Sequence, residues 1–169
     1  APCPIARSLG LIGDSWTMMI LRDAFSGLTR FDEFQKSCGI APNILSRRLK
    51  EMAEDGLLCR VAYSIAPPRY EYHLTDKSRE LHLLMPILAA WGNRYCLEGQ
   101  PKMQVMDTAS GRAITAIVVD KESGQPLTAD RYEMVPGPGA GALLRYRHDY
   151  IRQKRVGQTP ARSSPPDAD

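Results

Sequence analysis

Asn43, Arg47 and Lys50 stand at i, i+4 and i+7. In a helix that spacing puts all three on one face, because successive residues are about 100° apart. Their side chains are an amide, a guanidinium and an ammonium. The amide of Asn can pair bidentately with adenine, and Arg can do the same with guanine. Lys50 is a point charge suited to phosphate. Leu45, Leu49 and Met52 fall on the opposite face, with Ser46 and Arg48 on the flanks. A helix from Pro42 to Asp55, ended by Gly56, therefore buries one side and presents hydrogen-bonding and cationic groups, together with Glu54, on the other. Asn43 and Arg47 are the base-reading candidates, with Ser46 also expected on the DNA-binding side; the competing reading is an ordinary solvated helix face.

The flanking elements must hold that helix in place. A short helix is expected from Arg30 to Lys36, capped by Thr29, with a turn at Ser37-Cys38-Gly39-Ile40. After Gly56, Leu57 to Tyr63 and Tyr70 to Leu74 read as strands joined by Ile65-Ala66-Pro67-Pro68-Arg69. Helix, turn, helix and hairpin in this order is the layout of a winged helix-turn-helix, whose second helix enters the major groove. Arg69 at the wing tip is a candidate for the minor groove or a phosphate, or is a plain surface Arg. Arg30 and Lys36 are phosphate candidates, and Arg48 either contacts phosphate or braces the fold through carboxylates.

Upstream, Pro4 opens a first helix with a stripe of Ile5, Leu9 and Ile12, and Ser15 is expected to cap a second, Trp16 to Phe25. Downstream, Thr75 caps a long helix through about Tyr95, with Pro86 inside it predicting a kink or two abutting helices. Leu81, Leu84, Leu88, Trp91 and Tyr95 share a face. So long an apolar stripe would be exposed on a lone subunit, which points to a homodimer interface. A symmetric dimer also suits DNA, since two recognition helices about 34 Å apart address successive major grooves.

The expected fold is mainly α with a small β wing, followed by a C-terminal extension. Residues 1–99 form the DNA-binding and dimerisation domain, 100–156 the extension, and 157–169 a disordered tail. Ala113 to Val119 and Arg131 to Val135 are strand-like, Asp120 to Gln125 turn-like, and Leu143 to Arg155 a basic helix. The net charge is only +3, but residues 143–155 carry five Lys/Arg against one Asp. No apolar run reaches membrane-span length and no signal-peptide pattern is visible, so a soluble cytoplasmic protein without a membrane partner is expected. Cys3, Cys38, Cys59 and Cys96 form no CxxC pair, and His73, His82 and His148 lie in no metal spacing, so no metal and no cofactor are expected. The absence of GxSxG, P-loop, GxGxxG and HExxH patterns argues against an enzyme. A protein-interaction module on a winged scaffold is the alternative function, disfavoured by the Arg/Lys-bearing face of the Pro42–Asp55 helix.

Cys3 sits at the start of the first helix, where the helix dipole favours a thiolate. Cys38 is taken as a packed thiol, Cys59 and Cys96 as structural. Trp16, Met19, Leu88 and Trp91 are candidate lining for an effector pocket, or plain packing.

Residues 3–95 resemble the HxlR-type winged-helix regulators of bacteria. The resemblance rests on Cys3-Pro4, Ile12-Gly13-Asp14-Ser15-Trp16, Ile20-Leu21-Arg22-Asp23, Gly27 and Arg30-Phe31-Asp32-Glu33-Phe34. It continues through Ile44 to Met52, Asp55-Gly56-Leu57, Tyr72-His73-Leu74-Thr75, Leu88 and Trp91-Gly92. It implies a dimer that binds double-stranded operator DNA and represses or activates nearby genes. It also implies that Cys3 is a redox or electrophile sensor, as the matching cysteine is in part of the family; a small residue with no sensing role is the other reading. Some members carry Cys-Gly pairs resembling a zinc ribbon in their extension. The comparable positions here are Ser110-Gly111 and Ser123-Gly124, so a metal-free β-hairpin is expected. Ala41 replaces the usual Ser/Thr cap, a loss of roughly 1 kcal/mol at the helix start.

Overall fold

A computed structural model describes residues 3–156; the tail expected at 157–169 lies outside the described residues. Its order is α1 (Pro4–Ile12), α2 (Ser15–Phe25), α3 (Phe31–Cys38) and α4 (Pro42–Glu54), then the antiparallel hairpin β1 (Leu58–Ile65) and β2 (Pro68–Leu74). This is a mostly helical winged helix-turn-helix. Two helix starts are displaced from their expected positions. Asp14, not Ser15, caps α2, its Oδ1 accepting the N–H of Trp16 at 3.0 Å and of Thr17 at 3.1 Å. A carboxylate is the stronger acceptor at a positive helix end. At α3 it is Glu33 that reaches back, accepting the N–H groups of Thr29 and Arg30, each at 2.9 Å, so Thr29 is not the cap. Those two donors hold the Glu33 carboxyl below its usual range. The expected turn also shortens: α3 runs through Cys38 and ends on Gly39, whose φ of 65° is left-handed and suits glycine.

The core lies where α2, α3 and α4 meet the base of the hairpin. Ile20, Leu21, Phe34, Ile40, Leu45, Leu49, Met52, Leu57 and Leu58 are buried together. α4 starts at Ala41 without a side-chain cap, but Pro42 at its first turn has no N–H to satisfy. Burying Leu45, Leu49 and Met52 contributes about 1.5–3 kcal/mol each, which outweighs the missing cap.

The hairpin strands are longer, and the connection tighter, than expected, with Ile65 paired to Pro68 and Arg69 within β2 opposite Ser64. The register slips between Ala62 and Ser64, leaving Tyr63 as a bulge.

The expected long helix is broken in three: α5 (Asp76–Arg79), a 3-10 turn (Glu80–Leu83) and α6 (Leu84–Tyr95). Thr75 does cap α5, accepting from Ser78 N–H while Ser78 Oγ accepts from Thr75 N–H. Pro86 falls in the first turn of α6, where a missing N–H costs nothing; the break is at Glu80–Leu83 rather than at the proline.

In the extension, the strand expected over Ala113 to Val119 is reduced to β4 (Ala113–Ile114), paired with β3 (Val105–Met106), and one bridge from Val119 to Pro126. Arg131 to Val135 is not a strand. Two turns share one hydrogen-bond scheme. Asp107 accepts from Ser110 Oγ at 2.5 Å, and Asp120 from Ser123 Oγ at 2.6 Å. Both carboxyls are drawn below their usual range by those hydroxyls. The basic helix is α7 (Ala142–Val156). The described chain packs as two units, Ser8–Thr128 and residues 3–7 with 129–156, so the first unit continues past residue 99.

Candidate nucleic-acid interface

Helical phase sorts the residues of α4. With Leu45, Leu49 and Met52 pinned in the core, Asn43, Ser46, Arg47 and Lys50 are left exposed. Arg47 Nε lies 3.9 Å from Glu51 Oε1 and Lys50 Nζ 3.7 Å from Glu54 Oε1, all on side chains more than two-fifths exposed. Pairs of this kind contribute little, so both cations are cheap to redirect to another anion. The face can donate and accept at a base edge and neutralise phosphates.

Arg48 is different. Its side chain is 19% exposed and bonds Glu51 at 2.9 Å and Asp14, the cap of α2, at 3.2 Å. Of the two roles expected for Arg48, this geometry is that of the brace, tying α4 to the start of α2. Lys36 and Arg69 are exposed. Ile65, at the wing tip, is 89% exposed.

Arg30 is engaged within the fold. Its Nε lies 3.2 Å from Glu71 Oε1, and its guanidinium sits 4.6 Å from the centroid of the Tyr63 ring. Glu71 Oε2 is 3.2 Å from His73 Nε2. Tyr72 N–H donates to the Thr29 carbonyl at 2.7 Å, and Arg30 and Glu71 form a β-bridge. These contacts clasp the start of α3 to the wing. Glu71, Tyr63 and His73 were not among the sequence candidates: Arg30 and Glu71 are 41 residues apart, and no periodicity links them.

The expected dimer residues divide. Leu81 is half-buried and packs on the core. Leu84, Leu88, Trp91 and Tyr95 are exposed, and α6 has no buried residue at all. A groove of about 650 Å³ runs between α6 and residues 101–116, lined by Trp91, Tyr95, Met103, Val105 and Ile114 among others. Of the four residues expected to line an effector pocket, only Trp91 reaches it. Asn93 builds one wall, donating to the Met103 carbonyl and accepting from Lys102 N–H.

The cysteines have opposite electrostatics. The Ala6 N–H, and more weakly the Ile5 N–H and the Arg147 charge, draw the Cys3 thiol below its ordinary value against the cost of partial burial. Cys38 is pushed up to about 11, first by burial and then by the Asp23 carboxylate. Its thiol donates to Asp23 Oδ2 at 3.1 Å, while Arg22 holds Oδ1 at 2.7 Å. The thiolate is the nucleophile. At neutral pH, iodoacetamide should therefore alkylate Cys3 well before Cys38, and Cys38 should respond only as the pH climbs toward 11. Peptide mass spectrometry over a time course measures this; equal rates for the two would contradict the assignment.

Comparison with known proteins gives the family of the chain. The HxlR-like helix-turn-helix pattern matches residues 11–100. An HTH-type transcriptional regulator of Mycobacterium tuberculosis is 36% identical over 141 residues, 83% of this chain and 89% of its own. The solved structure of PA1607, described as a candidate transcription factor, is 40% identical with a TM-score of 0.72, covering 81% of this chain and 96% of that one. The redox regulator HypR in its reduced form is 32% identical with a TM-score of 0.51, covering 56% of this chain and 96% of HypR. With the family pattern spanning more than half of its length, and the winged hairpin and exposed α4 face in place, this chain belongs to the HxlR-like helix-turn-helix family of transcriptional regulators.

Proposed function

We propose that the protein is a dimeric transcriptional regulator that binds operator DNA sequence-specifically through α4 and the wing. The observation that carries this reading is the division of α4: three apolar residues wholly buried, with Asn43, Ser46, Arg47 and Lys50 facing outward. Asn43 and Arg47 contact base edges. Lys50, Lys36 and Arg69 contact the phosphate backbone, and Arg30 acts by holding the wing. Two copies associate through the exposed face of α6, which buries Leu84, Leu88, Trp91 and Tyr95. The protein works in the cytoplasm. Among the described residues no helix is long and apolar enough to cross a membrane.

Cys3 serves as a redox or electrophile sensor, supported by its acidified thiol and by the likeness to HypR, itself a redox regulator. DNase footprinting of the purified protein on its own upstream region, with sedimentation at micromolar concentration, tests the core of this reading. A protected site and a dimer are expected, with affinity falling steeply as salt rises. No protection at any salt, or a monomer, would refute it and favour the interaction-module alternative. Diamide treatment of wild type and Cys3→Ser tests the sensor: oxidant should alter DNA binding in the wild type only.

A further inference from the structure

The apolar face of α6 is small for a stable dimer. Its outward side chains are Leu84, Leu88, Trp91 and Tyr95. Trp91 is 58% and Tyr95 63% exposed. An aromatic side chain offers about 150–250 Å², so together they present roughly 200–300 Å². The two leucines are smaller and less exposed. A stable association buries about 800 Å² on each partner.

More apolar surface adjoins that face. Among the described residues from 97 to 128 none is buried, and Val105, Asp107 and Ala116 are the half-buried ones. Their pairing consists of β3 on β4, two residues each, and the bridge from Val119 to Pro126. So small a hairpin is marginal in water by itself. Its sequence is that of a strand with a cover, since Ala113 to Val119 holds six apolar residues and Thr115. Val105 and Ile114 are paired, and both line the groove beside α6, as does the exposed Met103. Asn93 ties this wall to α6 through the Met103 carbonyl and Lys102 N–H. Trp91 and Tyr95 line the α6 side, their ring centroids 5.6 Å apart.

We infer that residues 103–116 form the second half of the dimer interface, the groove being filled by apolar side chains of a second copy. This rests on the reading of α6 as the dimer face and extends it. Whatever covers Trp91 and Tyr95 also meets Met103 and Ile114, because the four line one groove. Charge permits self-association. Between residues 103 and 119 the charged residues are Asp107 and Arg112, one of each sign, at the turn joining β3 to β4. Arg94 also lines the groove, with its guanidinium 5.3 Å from the centroid of the Tyr95 ring. A two-fold interface sets a patch against its own like, which suits apolar residues and penalises charge of one sign. A small ligand fits less well: Leu84 and Leu88 continue the apolar face outside the groove and would stay exposed.

Sedimentation of the full chain across a concentration series tests this. One variant carries Met103→Glu and Ile114→Glu, an apolar control carries Met103→Leu and Ile114→Val, and Leu88→Glu probes α6. Met103, Ile114 and Leu88 are exposed in the single chain, so the fold should hold. Circular dichroism and the melting temperature, taken at a dilution where the wild type is monomeric, check that. The double Glu variant should raise the dimer dissociation constant about tenfold or more, because its carboxylates would be buried without partners. The apolar control should lose far less. Hydrogen exchange over residues 103–116 should slow as the wild type passes from monomer to dimer. A double Glu variant that dimerises like the wild type overturns the inference and leaves the groove to a small ligand or a different protein. Unchanged exchange at 103–116 overturns it as well. If Leu88→Glu splits the dimer and the double Glu variant does not, the reading of α6 stands and this one fails. In the reverse case the reading of α6 fails and the part of residues 103–116 stands. A wild type that remains monomeric at micromolar concentration refutes both.

Discussion

Arg47→Ala is expected to weaken operator binding roughly tenfold or more while leaving the melting temperature unchanged. The two halves of that outcome have separate causes. A bidentate contact between a guanidinium and a guanine contributes about 1–3 kcal/mol of discrimination, and each 1.4 kcal/mol is tenfold in affinity. The fold loses almost nothing, because among the described residues the ion-pair partner of Arg47 is Glu51, 3.9 Å away on an exposed pair. Arg47→Lys separates charge from geometry. It should recover binding to non-specific duplex and its salt dependence, yet not the preference for the operator, since a point charge cannot form the fork. Gel-shift titrations against operator and scrambled duplex measure both quantities. An Arg47→Ala protein with wild-type operator affinity would remove this residue from the interface.

Phe34→Ala is expected to destabilise the fold by about 3–5 kcal/mol, the usual range for removing a buried Phe side chain. Phe34 is 0% exposed and packs in the cluster that joins α2, α3, α4 and the base of β1. Its loss removes apolar burial and opens a cavity that rigid neighbours fill only in part. Total stabilities of small domains are about 5–15 kcal/mol, so the loss is a large fraction of the whole. Urea denaturation should show a lower midpoint, and operator binding should fall with the folded fraction. Phe34→Leu should cost far less, since most of the volume is kept. The contrast with Arg47→Ala is the informative result: one variant folds without binding, and the other binds only to the extent that it folds. An Ala variant as stable as the wild type would mean that Phe34 is not in the core.

α4 was legible in the sequence because everything that defines it is local. Its buried and exposed faces follow from one period within 13 residues, and its start and stop are marked by Pro42 and Gly56. The hairpin was legible too, from two strand-like runs around prolines. What escaped was set by competition or by distance. Asp14 and Ser15 are both good caps, and only the carboxylate accepts two N–H groups at once. Arg30 reads as a free cation until the fold brings Glu71 and Tyr63 to it. Arg48 sits on the flank of the cationic face, yet Asp14 draws it inward. In the extension, apolar runs alone suggested strands at Ala113 to Val119 and Arg131 to Val135. Pairing there is limited to β3 with β4 and one bridge, and the turns are closed by Asp–Ser contacts.

The clasp between Arg30 and Glu71 has a bearing on how this regulator could diversify. It grips the hairpin at its middle, where Val61 and Glu71 pair, with Tyr63 a step further out. Residues 65–69 beyond it carry no part of the buried cluster. The outer end is thus an exchangeable nib on a fixed pen: substitutions there redraw what the hairpin touches and leave the aim of α4 undisturbed.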